Sequence, residues 1–245
     1  MNNQIKYLLH LADNNLVLSQ RNGEWCGHGP ILEQDIAITN ITLDLLGQAR
    51  LIYQHAAELI NNNGSNNTTE DSLAYLRHER EYKNVLLVEL PNGDWGQTIL
   101  RQYLFSQFQF LLYNQLLTST DSSLAAIAEK SLKEIKYHLR WSSEWVIRLA
   151  DGTAESHNKM IHALNYLWEY TGELFLPAPY ESDNLAVLKQ QWLTAVTLVF
   201  EEATLPLPEE IFMQSGGKQG IHTEHLGYML ADMQYLQRSY PNAQW

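Results

Sequence analysis

Cysteine is almost absent from this chain of 245 residues, since Cys26 is the only one. An intramolecular disulfide is therefore excluded, and so are the thiolate clusters that hold zinc or iron–sulfur centres. Basic residues are also scarce, with 16 Lys and Arg against 28 Asp and Glu. No run of Lys and Arg marks a surface that could follow a phosphate backbone, so we expect no nucleic-acid partner.

Long apolar runs are missing as well. No stretch reaches the roughly 18 uninterrupted apolar residues that a membrane span needs. The first segment of the chain is interrupted by Asn2, Asn3, Lys6, His10 and Asp13, so it resembles neither a signal peptide nor a span. We therefore expect a cytoplasmic protein with no membrane partner.

Strand-type alternation is nearly absent, and apolar residues recur at helical spacing. Four long central helices of about 20 to 30 residues predict an antiparallel bundle with terminal helices around it. No internal repeat or long linker divides the chain, so the sequence predicts one helical domain over residues 1–245. The predicted helices cover a first one ending near Arg21 to Gly23, then residues 31–61, 71–90, 94–119, 121–151, 154–174 and 182–204, a short helix after Pro208, and residues 223–238.

Three acidic residues fall on apolar stripes of these predicted helices, where a bundle core has no ordinary use for a carboxylate. They are Asp44, Glu79 and Glu134, on the second, third and fifth helices. The stripes comprise Ala37, Ile41, Asp44, Gln48 and Leu51; Leu76, Glu79, Tyr82, Lys83 and Leu86; and Ile127, Ser131, Glu134, His138 and Trp141.

Inward acids on several long helices are typical of di-iron carboxylate bundles, which take a Glu from two helices and a Glu-x-x-His pair from the other two. In this chain tyrosine occupies each histidine position, because Tyr82 follows Glu79 and Tyr137 follows Glu134. No Asp or Glu has a His three residues later. Half of the ligand set is therefore missing.

The fourth predicted helix departs further from a di-iron pattern, since residues 96–120 contain no Asp or Glu. Its inward candidates are Gln102, Ser106 and Gln107. We interpret the polar positions together as a degenerate pseudo-site without metal or catalytic residues, held by ion pairs to Lys83, Arg80 or His138. The pseudo-site comprises Asp44, Glu79, Tyr82, Lys83, Ser106, Glu134, Tyr137 and His138.

Two alternatives to this pseudo-site remain open. The three acids can be surface residues on the edges of their helices. Glu134 and His138 lie one turn apart, a spacing that can chelate a single ion.

A second histidine pair, His222 and His225, follows a glycine-rich stretch. We interpret Thr223 as the N-cap of the last helix and both imidazoles as facing solvent. Gly216-Gly217-Lys218 is too short for a phosphate-binding loop.

Several blocks of sequence, in order, resemble the family of PaaC-type, non-catalytic subunits of bacterial phenylacetyl-CoA epoxidase, within the ferritin-like di-iron carboxylate superfamily. The resemblance covers nearly the whole chain. One departure is Ser106, where some relatives are expected to carry Asp. The blocks are Leu18-Ser19-Gln20-Arg21, Gly23-Glu24-Trp25-Cys26-Gly27-His28, Leu43-Asp44-Leu45-Leu46-Gly47-Gln48-Ala49-Arg50, Leu87-Val88-Glu89-Leu90-Pro91-Asn92-Gly93, Lys136-Tyr137-His138-Leu139-Arg140, His222-Thr223-Glu224-His225-Leu226-Gly227, Met233-Gln234-Tyr235-Leu236-Gln237-Arg238 and Trp245.

The resemblance implies a ferritin-like fold and a supporting role in a ring-oxygenating monooxygenase of phenylacetate degradation. It implies that a homologous catalytic subunit holds the di-iron centre and binds the CoA thioester, with a further small subunit and an NADPH-dependent reductase. The assembly would be a hetero-oligomer, and a homodimer is also conceivable. This chain would hold no cofactor and would not be an enzyme by itself.

Two other functions are weighed against this one. An active di-metal oxygenase or oxidase would need the unusual ligands Asp44, Glu79, Glu134 and His138, with Tyr82 or Tyr137. A ferritin-like storage protein would oxidise ferrous iron inside a closed shell, and the acid-free fourth helix argues against it.

Overall fold

Ten α-helices and four short 3-10 turns make up the regular structure of the described residues in the computed structural model. It describes residues 2–64, 67–181, 184–209, 212–241 and 243. The helices are α1 Asn3–Gly23, α2 Leu32–Asn62, α3 Glu70–Tyr75, α4 Leu86–Glu89, α5 Trp95–Leu116, α6 Ser122–Ala150, α7 Ala154–Leu167, α8 Leu185–Glu202, α9 Glu224–Met233 and α10 Tyr235–Ser239. The 3-10 turns are Glu79–Glu81, Trp168–Tyr170, Gly172–Phe175 and Gly217–Gln219.

The predicted all-α, ferritin-like fold class is confirmed, since the described residues contain helices and no strand. Within them, no helix is both long enough and apolar enough to cross a membrane. Two compact units are distinguished. The first unit contains the described residues of 1–91, 178–181 and 216–245, and the second contains those of 92–177 and 182–215.

Helix α1 is the centre of the first unit. Asn2 caps it by accepting a hydrogen bond from the Ile5 amide at 2.9 Å. Every residue from Leu8 to Ser19 is buried, over more than three turns, so α1 is enclosed on all sides. The apolar stripe seen in the sequence therefore describes only part of what this helix buries.

Helices α1 and α2 form an antiparallel pair. The Tyr53 hydroxyl on α2 donates to Asp13 on α1 at 2.5 Å, and a methyl group at Gly23 would lie 3.5 Å from Thr42. Contacts therefore move down α1 as they move up α2, as in a helical hairpin with a short connection.

The predicted third helix over residues 71–90 is wrong. The chain instead forms α3, the 3-10 turn Glu79–Glu81 and α4, with extended backbone at His78, Tyr82 and Val85. The stripe that placed Glu79 beside Tyr82 on one helical face does not exist.

Side chains from distant parts of the first unit explain this break. The amides of Lys83 and Val85 donate to Asp13 and Asn14 of α1 at 2.7 and 2.8 Å. The Lys83 carbonyl accepts from His10 Nδ1 at 2.7 Å. Because these buried side chains satisfy the backbone, the segment needs no helical hydrogen bonds.

In the second unit, α5 and α6 have the boundaries and caps that the sequence predicts. Asp94 accepts from the Gln97 amide at 2.9 Å, and Asp121 accepts from the Leu124 amide at 3.1 Å. The rings of Trp95 and Trp141, near opposite ends of the two sequences, lie 6.2 Å apart, which fits an antiparallel pair.

Helix α5 is buried on all sides from Gln102 to Gln109, as its aromatic composition predicts. Trp192 of α8 donates its indole N–H to the Leu104 carbonyl at 3.0 Å. Around this contact the second unit packs a continuous aromatic cluster, which comprises Tyr103, Phe108, Trp168, Phe175, Trp192 and Phe200.

The last part of the chain differs in detail from its prediction. Residues 154–174 form α7 followed by two 3-10 turns, and the final helix is divided into α9 and α10. The predicted start at Ser182 lies outside the described residues. No helix occurs at residues 205–209 or 212–216, and residues 210 and 211 of the short helix expected after Pro208 are not described.

Candidate functional site

Four pseudo-site residues lie in the first unit, and they do not share a helical face. Asp44 is half-buried on α2, whereas Glu79 is exposed in a 3-10 turn. Tyr82 is fully buried and donates its hydroxyl to the Ala74 carbonyl at 2.5 Å. Burial lowers the pKa of the half-buried Lys83 ammonium, against the opposing effect of Asp13. The prediction of an inward Glu79 is therefore wrong.

The other four pseudo-site residues lie in the second unit. On α5, Ser106 is fully buried and accepts a hydrogen bond from the Gln102 amide at 2.8 Å. On α6, His138 is fully buried and Glu134 is half-buried, whereas 38% of Tyr137 is exposed. Both histidine positions of a di-iron pattern are therefore tyrosines in unlike surroundings.

The residues present do not fit a di-iron centre. Helix α5 contributes amide and hydroxyl groups in place of a carboxylate, and these groups bond to each other. Across the part of the chain that the structure describes, no three His, Cys, Asp or Glu side chains are grouped to hold a metal ion. We therefore derive no reaction step through a metal in this chain.

The first unit contains a buried polar centre that the sequence did not indicate. Asp13 of α1, with no exposed side-chain surface, forms an ion pair with Arg77. Arg77 donates from Nη1 at 3.1 Å and from Nη2 to the other carboxylate oxygen. Tyr53 and the Lys83 amide also donate to Asp13, so both oxygens are fully engaged.

The guanidinium of Arg77 is enclosed as completely as its partner. It lies over the Tyr82 ring, 4.3 Å from the centroid, and also donates to the Glu81 carbonyl at 3.0 Å. Burial lowers the pKa of Arg77, but the Asp13 charge raises it by more, so the net shift is upward. Burial and Asp13 raise the pKa of Tyr53. Arg77 therefore stays charged and Tyr53 stays protonated.

A second buried ion pair joins α4 to the residues before α9. Glu89 and His222 are both fully enclosed, with 2.8 Å between Oε2 and Nδ1. The other ring nitrogen, Nε2, lies 3.1 Å from the Tyr82 carbonyl. Since both neighbours are acceptors, both ring nitrogens donate and His222 is an imidazolium.

Electrostatics agree with this protonation state. Burial lowers the pKa of His222, but the hydrogen bond and charge of Glu89 and the Tyr82 carbonyl outweigh it and raise the pKa above 6.5. Glu89 also accepts from the amide and hydroxyl of Thr223, at 2.7 and 2.8 Å, and from Asn84 at 2.8 Å. The carboxylate has no free lone pair for a metal.

The sequence-based interpretation of His222 was therefore wrong, because its imidazole is buried against Glu89 and does not face solvent. Thr223 does occupy the N-cap position of α9, as predicted, but its hydroxyl donates to Glu89 and does not cap the helix. His225 is half-buried.

A third buried pair connects Lys218 to Glu181. The ammonium lies 2.9 and 3.0 Å from the two carboxylate oxygens, and Glu181 also accepts from the Ala178 amide at 2.7 Å. His10 of α1 lies 3.6 Å from Glu181 but is neutral. Burial and the nearby Lys218 charge lower its pKa to about 3, and its Nδ1 donates to the Lys83 carbonyl.

The glycine-rich stretch before α9 follows from close backbone packing. A methyl group at Gly217 would lie 2.1 Å from the Asn84 carbonyl oxygen. At Gly220, which has a φ of +83°, it would lie 2.2 Å from the Arg80 carbonyl oxygen. These glycines let residues 216–220 lie directly on residues 80–84, and they bind no phosphate through this geometry.

These three pairs fix the shape of the first unit but offer no reactive group. Each carboxylate is saturated by protein donors, and neither Asp13 nor Glu89 reaches solvent. One signal in the sequence could have revealed the first pair. Asp13, Asn14 and Asn15 are consecutive on a helix, so they span about 200° and at least one must face inward if the helix is buried.

Comparison with known proteins fits this arrangement. The model of a family described as phenylacetic acid catabolic protein matches residues 1–245. A relative from Escherichia coli (strain K12), which is named as one of the subunits of 1,2-phenylacetyl-CoA epoxidase, is 49% identical over 253 residues, with 100% of both chains covered. The resemblance found in the sequence is confirmed, and the chain belongs to the family of phenylacetic acid catabolic proteins.

Proposed function

We propose that this chain is the non-catalytic, structural subunit of a multicomponent phenylacetyl-CoA 1,2-epoxidase, a ring-oxygenating monooxygenase of phenylacetate degradation. The E. coli relative, named as a subunit of that enzyme, supports the reaction and the existence of partner chains. In this proposal a homologous catalytic subunit holds the di-iron centre and this chain holds no cofactor. A further small subunit and a reductase that takes electrons from NADPH complete a cytoplasmic complex.

One observation carries the non-catalytic role. On α5, where a di-iron bundle needs a carboxylate, Gln102 and Ser106 bond to each other. Amides and hydroxyls do not balance the charge of two iron ions. The buried carboxylates of the first unit, Asp13 and Glu89, are held by ion pairs and hydrogen bonds. The chain thus uses its inward acids for stability.

Metal analysis of the chain purified alone after iron-supplemented expression tests this role. We expect near-zero iron by plasma mass spectrometry, and di-iron stoichiometry only when the catalytic subunit is present. Ring epoxidation should then require all components, and it should follow the amount of assembled complex. A full di-iron complement in the isolated chain would overturn the proposal.

The alternative, an active di-metal site with unusual ligands, has one observation in its favour. Glu134 and His138 lie one turn apart on α6, and His138 is fully buried. Glu134→Gln and His138→Gln variants separate the two functions. In a structural subunit they alter stability or assembly and leave turnover per assembled complex unchanged. Loss of ring oxidation at unchanged assembly would favour the alternative.

A further inference from the structure

Helix α2 carries an apolar surface that its own chain leaves uncovered. Leu32 is 72% exposed, Ile36 51% and Leu43 59%. Their spacing of four and seven residues places them on one side of the helix. We call this side the outer face of α2, and it consists of Leu32, Ile36, Asn40, Leu43, Gly47 and Arg50.

Gly47 is a second, independent sign that this face is covered by another molecule. Glycine is the least favourable residue in a helix interior after proline. A methyl group built on Gly47 would have no neighbour within 4 Å among the described residues. The packing of this chain therefore does not require glycine there, whereas close approach of another backbone or a bulky side chain does.

A cavity opens beside the far end of the same face. It has a volume of about 230 Å³ and is lined in part by Leu46, Ala49, Arg50 and Tyr53. The near end of the face protrudes instead, because Ile31 and Leu32 are both exposed there. The face thus has apolar projections at one end and a notch with a cavity at the other.

Such a surface is complementary to a copy of itself. If two α2 helices pack antiparallel about a two-fold axis, residues whose numbers share one sum face each other. With Ile36 opposite Gly47 of the second copy, Glu33 falls opposite Arg50 of that copy, and Asn40 falls opposite Leu43. Ile31 and Leu32 then lie near the cavity of the second copy.

We propose that two copies of this chain pair through the outer faces of α2 in this antiparallel register. The pairing buries the exposed apolar side chains of both copies and sets two Glu33–Arg50 ion pairs at its edges. The glutamate is exposed, and 68% of the Arg50 side chain is exposed, so both can reorient on contact.

Sedimentation equilibrium of the purified full-length chain tests the pairing. We expect a dimer that Gly47→Gln dissociates, with a dissociation constant raised about tenfold or more, because the notch is filled. The variant should melt no lower than the wild-type monomer, since glutamine favours helix and the site is open. Ile36→Gln should weaken the dimer likewise. Leu198→Gln, at an exposed leucine of α8, is the matched control and should leave it unchanged.

The register has its own tests. Glu33→Arg and Arg50→Glu should each weaken the dimer, and the double variant should restore it. In a Cys26→Ser background, Ile36→Cys with Gly47→Cys should give a disulfide-linked dimer under mild oxidation. Either cysteine alone should not, because its symmetry mate lies about 16 Å along the helix pair.

A chain that stays monomeric, or a dimer that ignores Gly47→Gln and forms no such disulfide, would overturn this pairing. If the outer face binds only the catalytic homologue, the isolated chain is monomeric and Gly47→Gln lowers recovery of the mixed complex alone. That outcome also overturns the proposal. None of these measurements depends on the iron content or activity of the complex.

Discussion

Arg77 binds the Asp13 carboxylate with both terminal nitrogens of its guanidinium, across 64 residues of sequence and with almost no solvent at either side chain. This geometry is the strong, bidentate form of the ion pair. Because the pair lies in a low-dielectric interior, losing one partner is more costly than losing both.

Asp13→Asn should therefore destabilise the protein by about 3–5 kcal/mol, since Arg77 remains charged and buried without an anion. Asparagine keeps the shape of aspartate, so packing is not the cause. Urea unfolding, followed by circular dichroism, measures the change. Asp232→Asn, at an exposed aspartate of the same unit, should stay within about 0.5 kcal/mol of wild type.

A double variant separates charge from packing at this site. Asp13→Leu with Arg77→Met removes both charges, and it should cost less than the sum of the two single changes. An additive result would show that the two residues do not stabilise each other.

The His222–Glu89 pair should make stability depend on pH. The pKa of His222 is raised above its unfolded value of 6.5, so its contribution is complete below about pH 6.5 and is lost as pH rises through the folded pKa. His222→Gln should thus be most destabilised near pH 6, and the difference from wild type should shrink at alkaline pH. Denaturant midpoints across this range measure it.

The control for this pH effect is His162→Gln, because His162 is exposed on α7. It should leave the pH profile of stability unchanged. A deficit of His222→Gln that is equal at all pH values would indicate a neutral ring at position 222.

His10 should show the opposite behaviour. Burial, followed by the charge of Lys218, lowers its pKa to about 3. Its neutral ring favours folding above the unfolded pKa of about 6.5, and this contribution is lost as pH falls toward the folded value. Nitrogen-15 NMR of the imidazole should show the neutral Nδ1–H tautomer at pH 5, with Lys218→Met raising the pKa. A ring that titrates near 6.5 would contradict the buried geometry.

Two glycines should respond to the same substitution in opposite directions. Gly217→Ala places a methyl group against the Asn84 carbonyl and should destabilise by about 2 kcal/mol or more. Gly47→Ala meets open space in the monomer and should stabilise the helix by about 0.5–1 kcal/mol. Thermal unfolding of both variants, at a concentration where the chain is monomeric, compares them directly.

The features that the sequence predicted well depend on local chemistry. Asp94 and Asp121 cap helices three residues ahead of them, so their roles are visible within one turn of sequence. The absence of acids from α5 is likewise a property of one segment. Both could be established without knowing what lies nearby in space.

The predicted third helix failed for the opposite reason. The groups that hold Lys83 and Val85 are Asp13 and Asn14, 70 and 71 residues earlier in the chain. Local periodicity cannot report such partners. The Glu89–His222 pair spans 133 residues, so a glutamate in a short apolar helix gave no sign of its role.

The discontinuous first unit sets an order for folding during synthesis. Residues 92–177, which belong to the second unit, leave the ribosome before residues 216–241 do. Until the later segment emerges, the Arg77 carbonyl lacks Gln234, Glu89 lacks His222, and Glu181 lacks Lys218. The nascent first unit must therefore wait with unpaired buried charges, and a translation stop before residue 216 leaves a chain that chaperones and proteases would recognise as incomplete.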